Sequence, residues 1–205
     1  MKPRKQIVKA GYNAIAREYT SLRAEDTKDV QLLEELVKRL PQGAKVLDAG
    51  CGSGVPVARY LAQCFDVTGV DFAEEQIRRA RRLVPGATFV CADVTKLSFP
   101  DETFDAICSY YAIIHIPRAE HRGLLRNFHR MLKPGGFALL SLGSTDSPED
   151  IAEYHGAQMF WSHYDAETNQ EMLKDVGFTL VWAKLVGDPV DPDGGRGLFV
   201  LAQKR

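Results

Sequence analysis

Three features of the sequence predict a doubly wound α/β sheet with helices added at its front. From residue 44 to 142, short apolar runs alternate with helical stretches, the pattern of a parallel sheet covered on both faces. A glycine-rich turn, Gly50-Cys51-Gly52-Ser53-Gly54, joins the first run to the helix after it. Two more apolar runs come last, and the turn residues at 188–195 between them predict an antiparallel hairpin.

Val8, Tyr12, Ile15, Tyr19 and Leu22 recur at helical spacing, so the front of the chain is expected to open with a helix that buries this face. A second helix is expected from Thr27, with Val30, Leu33, Val37 and Leu40 inward and Pro41 and Gly43 as its stop. The run 45–48 is the first strand, and a helix over 55–63 follows the glycine turn. Next come a strand at 65–70, a helix at 74–83, and strands at 87–92 and 104–110. The segment 118–132 reads as a helix with Leu124, Leu125, Phe128 and Leu132 inward. Lys133-Pro134-Gly135-Gly136 then turns the chain into a strand at 137–142. Residues 144–164 show no regular period and are expected to form an irregular insert. A helix near 166–176 and strands at 178–186 and 198–203 finish the pattern.

With 205 residues, 45% of them hydrophobic, the chain has material for one sizeable core. One domain, 1–205, is expected: a helical cover at 1–43, a core at 44–143, the insert at 144–164, and a C-terminal helix and hairpin at 165–205. The balance of 26 Lys and Arg against 27 Asp and Glu, a net charge of −1, argues against a nucleic-acid partner, whose basic footprint is normally obvious. The basic helix with Arg78, Arg79, Arg81 and Arg82 therefore reads as solvated surface. No run approaches the ~18 apolar residues of a membrane helix, and no apolar signal segment follows the basic start. Cys51, Cys64, Cys91 and Cys108 form no Cys-x-x-Cys pair and no zinc-type spacing. Reduced thiols, a cytoplasmic location and no metal site are expected.

Alone, Gly50, Gly52 and Gly54 signal only a tight turn at the place where open α/β sheets bind ligands. The context sharpens this. A dinucleotide fingerprint wants Gly-x-Gly-x-x-Gly, and its last position here is Val55. Asp48, facing the loop with no Lys or Arg to offset it, would repel a pyrophosphate and attract an ammonium or sulfonium. Asp71 ends the second strand, where an acid can accept from ribose hydroxyls. Asp93 ends the third, placed to accept from an adenine amino group, with Val94 beside the ring. Any one of these could be a cap or a solvated turn; all three at one sheet edge beside a glycine loop point to a ligand.

The stretches Val-Leu-Asp-Ala-Gly-Cys-Gly-Ser-Gly (46–54), Val-Thr-Gly-Val-Asp-Phe (67–72), Cys-Ala-Asp-Val (91–94), Phe-Asp-Ala-Ile-Cys-Ser (104–109) and Leu-Lys-Pro-Gly-Gly (132–136) carry a specific resemblance. The sequence resembles the class I S-adenosylmethionine-dependent methyltransferases, of the small soluble type that includes the ubiquinone/menaquinone-biosynthesis-like enzymes, over residues 7–203. The resemblance implies a mostly parallel, Rossmann-like, seven-stranded sheet with an antiparallel last strand. It implies Asp48, Gly50, Cys51, Gly52 and Gly54 around the methionine part of S-adenosylmethionine, Asp71 on the ribose, and Asp93 on the adenine amine. Phe72 and Val94 would sandwich the base, and Ser109 would begin the stretch beneath the sulfonium. The product would be S-adenosylhomocysteine. Ser109-Tyr110-Tyr111-Ala112 stands where base-methylating relatives carry Asn/Asp-Pro-Pro-Tyr, and the paired-glutamate loop of protein arginine methyltransferases is not visible. A small-molecule acceptor is the remaining expectation, with a monomer or homodimer and no membrane.

Three segments are candidates for shaping the acceptor side. In relatives a front helix covers the cofactor, and Tyr12 and Tyr19 would do so here unless they only pack helices. The stretch 110–117 follows a strand at its ligand-facing end and carries Tyr111 and His115; His115 is the first candidate for a general base. The insert 144–164 supplies Tyr154, His155, Met159, Phe160, Trp161, His163 and Tyr164, which suit an apolar or aromatic acceptor. His163 is the second base candidate. Two other readings stay open: an acceptor that is protein or RNA, which a basic track at the pocket mouth would reveal, and a non-catalytic S-adenosylmethionine binder, which lack of turnover would reveal.

Overall fold

The computed structural model describes residues 3–190 and 195–205. Helix α1 (Arg4–Leu22) leads into two short helices, α2 (Lys28–Gln31) and α3 (Glu34–Val37). Then β1 (Lys45–Ala49), α4 (Val57–Leu61), β2 (Asp66–Asp71), α5 (Glu74–Leu83), β3 (Thr88–Cys91) and β4 (Phe104–Ser109) alternate. Helix α6 (His121–Met131), β5 (Leu132–Leu142), β6 (Ser147–Tyr154), β7 (Ala157–His163), α7 (Ala166–Asp175), β8 (Phe178–Gly187) and β9 (Arg196–Lys204) follow.

Seven strands form one sheet in the order β3-β2-β1-β4-β5-β9-β8. The first five are parallel, and β9 runs antiparallel to both β5 and β8. The period of two sorts the strands between two cores. Val46, Ala106, Cys108, Leu139, Phe199 and Leu201 face α2–α5, whereas Leu47, Ile107, Leu140, Val200 and Ala202 face α6 and α7. Truncating one of these fully buried leucines, such as Leu139, would cost about 2–5 kcal/mol. Strand order reverses between β1 and β4, which places the crevice for a ligand at their carboxyl ends.

The main correction concerns the predicted irregular insert. Residues 144–164 hold a β-hairpin, β6 and β7, which forms a two-stranded sheet of its own. His155 and Gly156 make its two-residue turn, both with positive φ (49° and 79°), as the twist of a tight hairpin requires. The predicted second helix is broken into α2 and α3. Leu33 and Leu36 are both fully buried three residues apart, and tighter i→i+3 bonds (Leu33 N–H to Val30 O, 3.0 Å; Leu36 N–H to Leu33 O, 3.0 Å) follow that spacing. Leu22 is not on the buried face of α1; it ends the helix and is 38% exposed. Gly11 takes a place there instead, because a Cβ at Gly11 would lie 2.8 Å from the Gln158 carbonyl oxygen and 2.9 Å from the Met159 Cε. Thus α1 lies on β7, where Val8 and Ile15 pack with Met159 and Phe160. The remaining elements match their predicted spans to within a few residues, except that β5 already begins at Leu132, paired to Phe104. Of the connector at 188–195, residues 191–194 lie outside the described residues.

Candidate active site

The loops after β1 and β4 meet at the carboxyl end of the sheet. Gly50 has φ +83°, and a Cβ there would fall 2.2 Å from the Ala112 Cβ, so only glycine allows this approach. The loop amides are consumed by the protein itself. Gly50 and Cys51 N–H both donate to the Val70 carbonyl (2.7 and 3.0 Å), and Gly52 N–H donates to Asp71 Oδ2 (3.0 Å). A phosphate cradle needs such donors aimed outward, so the loop is built to shape a wall and to fix Asp71.

Asp48 is 1% exposed, and its Oδ2 has no hydrogen-bond partner. Burial, with Asp71 nearby, pushes its carboxyl up to about 8. Asp71 is pushed up to about 6 by burial, held back by the amides of Ala73, Gly52 and Phe72. A cationic ligand would relieve both. Asp93 is different: burial works against its charge, but hydrogen bonds from Thr95 and the Lys5 ammonium hold it below the usual range. Lys5 Nζ lies 3.2 Å from Asp93 Oδ2 and 2.6 Å from Glu120 Oε2, so α1 is tied directly to a candidate ligand acid. Lys9 and Asn13 tie it again, to Glu74 on α5.

Beneath α1 run two adjoining cavities. A narrow one of about 80 Å³ is bordered by Gly50, Gly52, Asp71, Phe72, Asp93 and Val94. A roomier one of about 380 Å³ is bordered by the hairpin, the end of β5 and the start of β9. Tyr12, Tyr19, Tyr111 and His115 border both. A cleft at the glycine loop, lined by Asp48, Cys51, Arg23, Tyr19 and Tyr111, continues the first.

His115 is buried and tied at both ring nitrogens. Nδ1 lies 2.7 Å from the Phe160 carbonyl, which can only accept, so Nδ1 carries the proton. Nε2 therefore accepts from the Tyr12 hydroxyl at 2.9 Å. Burial pushes this imidazole down to about 4, against the pull of the Phe160 carbonyl, and raises the Tyr12 phenol well above its usual range. His163 is freer. Its Nδ1 faces the Thr145 carbonyl (2.8 Å), and Nε2 has no partner among the described residues.

Not every predicted residue reaches a cavity. Ser109 is buried in the sheet and donates to the Ala49 carbonyl (2.8 Å). Gly54, with φ +76°, makes room for Phe89 and Val84 beneath the loop. Arg23 went unnoticed in the sequence. Its guanidinium is buried, pairs with Asp29 (2.9 Å), lies 4.8 Å from the centre of the Tyr111 ring, and leaves Nη1 unpartnered beside the cleft that holds Asp48. Nothing local marks it, since Tyr111, whose ring it lies over, is far from it in sequence. Among the described residues, no cluster of His, Cys, Asp or Glu could hold a metal ion, and no helix is long and apolar enough to cross a membrane.

Residues 46–136 match the family model described as a methyltransferase domain. The chain is 36% identical over 168 residues to phosphoethanolamine N-methyltransferase 1 of Arabidopsis thaliana, a match covering 77% of this chain and 34% of that protein. It is 38% identical over 107 residues to 2-methyl-6-phytyl-1,4-hydroquinone methyltransferase of Synechocystis sp., covering 50% of this chain and 33% of that protein. The chain spans about a third of the length of the curated relatives it matches. The structure is similar to that of 1,6-didemethyltoxoflavin-N1-methyltransferase from Burkholderia thailandensis, solved with its substrate and S-adenosylhomocysteine. That likeness has a TM-score of 0.74 at 25% identity and covers 98% of this chain and 86% of that one. Residues 46–136 thus form a methyltransferase domain, and the strand order and motifs of the chain are similar to those of the class I S-adenosylmethionine-dependent methyltransferases.

Proposed function

We propose that this protein transfers a methyl group from S-adenosylmethionine to a small organic acceptor. The observation that carries the reading is the pair of cavities sharing one wall of Tyr12, Tyr19, Tyr111 and His115: one is bordered by strand-end acids suited to an adenosyl cation, and the other is free for a second molecule. The relatives named above, which act on small molecules by name, support it.

Asp71 accepts from the ribose hydroxyls through lone pairs that Gly52 and Ala73 leave free. Asp93 takes the adenine amine beside Lys5, and Phe72 and Val94 flank the base. The unpartnered oxygen of Asp48 takes the ammonium, and the unpartnered nitrogen of Arg23 takes the carboxylate of the methionine part. When bound, S-adenosylmethionine supplies an electrophilic methyl group on a sulfonium. Positioning does much of the remaining work. An acceptor X–H in the second cavity donates to the Tyr12 oxygen, whose own proton points at His115 Nε2. Proton loss then passes along two hydrogen bonds, and His115, held near 4, gives the proton back once product leaves. The four free thiols fit a reducing, cytoplasmic setting.

Calorimetry with S-adenosylhomocysteine, NAD and ATP tests the cofactor, and formation of S-adenosylhomocysteine across an acceptor panel tests the reaction. Binding of S-adenosylhomocysteine alone and turnover with at least one small acceptor are expected. Tight NAD binding, or no turnover anywhere, would overturn the reading.

A further inference from the structure

Resting on the methyl-transfer reading, we infer that the acceptor is a small amine, held as a cation in the second cavity and methylated on nitrogen. Five aromatic rings form a closed circuit there. Ring centres are 5.3 Å apart for Tyr12–Tyr19, 6.4 Å for Tyr19–Tyr154, 5.8 Å for Tyr154–Trp161, 5.6 Å for Trp161–His115 and 5.4 Å for His115–Tyr12. Tyr12, Tyr19 and His115 also border the cofactor cavity, so a sulfonium accounts for them. Tyr154 and Trp161 pack against the core between α1 and β7, and of the two cavities they border only the second.

Acidic residues outnumber basic ones around that cavity. Among the described residues, Asp150, Glu153 and Asp188 line it against the guanidinium of Arg196. Asp150 and Glu153 have no ion-pair partner among the described residues. Asp150 is paired in register with Trp161 across the hairpin, so carboxylate and ring share one face and are fixed by backbone pairing. Each acceptor class meets this lining differently. A quinol or sterol gains from the rings but must lie against the carboxylate of Asp150. A phosphate or carboxylate is repelled by it. Only a cation gains from both, since the faces of Tyr and Trp attract positive charge.

The bound ammonium first loses a proton, to the Tyr12 oxygen, as the Tyr12 proton passes to His115 Nε2; once product leaves, that proton returns through Tyr12 to solvent in the emptied cavity. The nitrogen lone pair then forms the N–C bond while the C–S bond breaks, and its electron pair stays on sulfur as the neutral thioether. The positive charge thus moves from sulfur to nitrogen, and the aromatic circuit also suits the methylated product.

The test uses the full chain saturated with S-adenosylhomocysteine, titrated with choline and with its uncharged carbon isostere dimethylbutanol. Choline should bind about tenfold more tightly than the isostere. Asp150→Asn, at an exposed position that folding tolerates, and Trp161→Leu should each weaken choline about fivefold or more, with S-adenosylhomocysteine affinity unchanged. Equal binding of the two probes, or choline affinity unmoved in Asp150→Asn, would overturn the inference. In turnover assays, amines should be methylated in preference to phenols of equal size. If phenols turn over and amines do not, the amine assignment fails while methyl transfer stands; if S-adenosylhomocysteine does not bind, the methyl-transfer reading itself fails.

Discussion

Replacing Asp48 by Asn should stabilise the ligand-free protein in alkaline solution while loosening its hold on S-adenosylmethionine. The Asp48 carboxyl is pushed from the ordinary 3.8 up to about 8. A raised carboxyl adds stability in its protonated form: the contribution is fully present below the unfolded value and is lost as pH rises through the folded one. At about 1.4 kcal/mol per unit, the penalty of ionisation relative to the unfolded chain is small at pH 5 and reaches several kcal/mol at pH 8.5. The Asn amide escapes that penalty but buries donors without partners, which costs about 1–3 kcal/mol. The variant should thus be more stable than wild type by a few kcal/mol at pH 8.5 and no more stable at pH 5. Urea unfolding at both pH values measures this, and the titrations of His115 and His121 cancel in the comparison. Cofactor binding gives the second reading. A carboxyl that is mostly protonated at pH 7 must ionise to meet an ammonium, so binding should release up to one proton, visible as a buffer-dependent heat in calorimetry. Asp48→Asn should abolish that release and weaken binding about ten- to a hundredfold. A variant no more stable than wild type at pH 8.5, with no proton released on binding, would refute a protonated Asp48 in the empty site.

His115 should titrate near pH 4 by its imidazole carbon signal, and because its folded value is depressed, stability should be fully present above about 6.5 and fall as pH drops through 4; a midpoint near 6.5 would contradict the buried, Nδ1-protonated ring. Tyr12→Phe should lower kcat about ten- to a hundredfold for a protonated acceptor, measured as S-adenosylhomocysteine formed per second, and much less for an acceptor that is already anionic. Gly50→Ala forces a Cβ onto Ala112 and an alanine to φ +83°, so a lower Tm together with lost S-adenosylhomocysteine binding is expected by thermal melting and calorimetry. Amide exchange over α1 and the β6–β7 hairpin should slow when S-adenosylhomocysteine binds, while β4 stays protected throughout; equal protection in both states would mark them as static packing.

The sheet was legible because its central strands, β1, β4 and β5, are apolar on both faces and α5 and α6 each carry a clear apolar stripe. Asp48, Asp71 and Asp93 could be read because each lies at or within two residues of a strand's carboxyl end, and parallel pairing brings such ends to one edge. The β6–β7 hairpin hid for the opposite reason. Most of β6 is exposed and polar, with no alternation to read, and its only signal was His155-Gly156, a two-residue turn ending in glycine. Arg23 was illegible because its meaning lies in a tertiary pocket shared with Asp29 and Tyr111. The quieting of His115 could not be read either. Sequence puts it after a ligand-facing strand end, but only the fold shows the Phe160 carbonyl and the Tyr12 hydroxyl occupying both its nitrogens.

The position of β9 has a bearing on how the molecule assembles. It slots between β5 and β8, so the strand made before it, β8, has no neighbour in the sheet until residues 196–204 arrive. Until then β5 also presents an open apolar edge to solvent. A ribosome-bound or truncated chain lacking β9 would carry two unsatisfied strands, a template for pairing with other chains. The completed sheet keeps only β3 and β8 at its rims. Shortening or masking β9 should therefore reveal itself first as loss of yield through aggregation, before any catalytic defect could be measured.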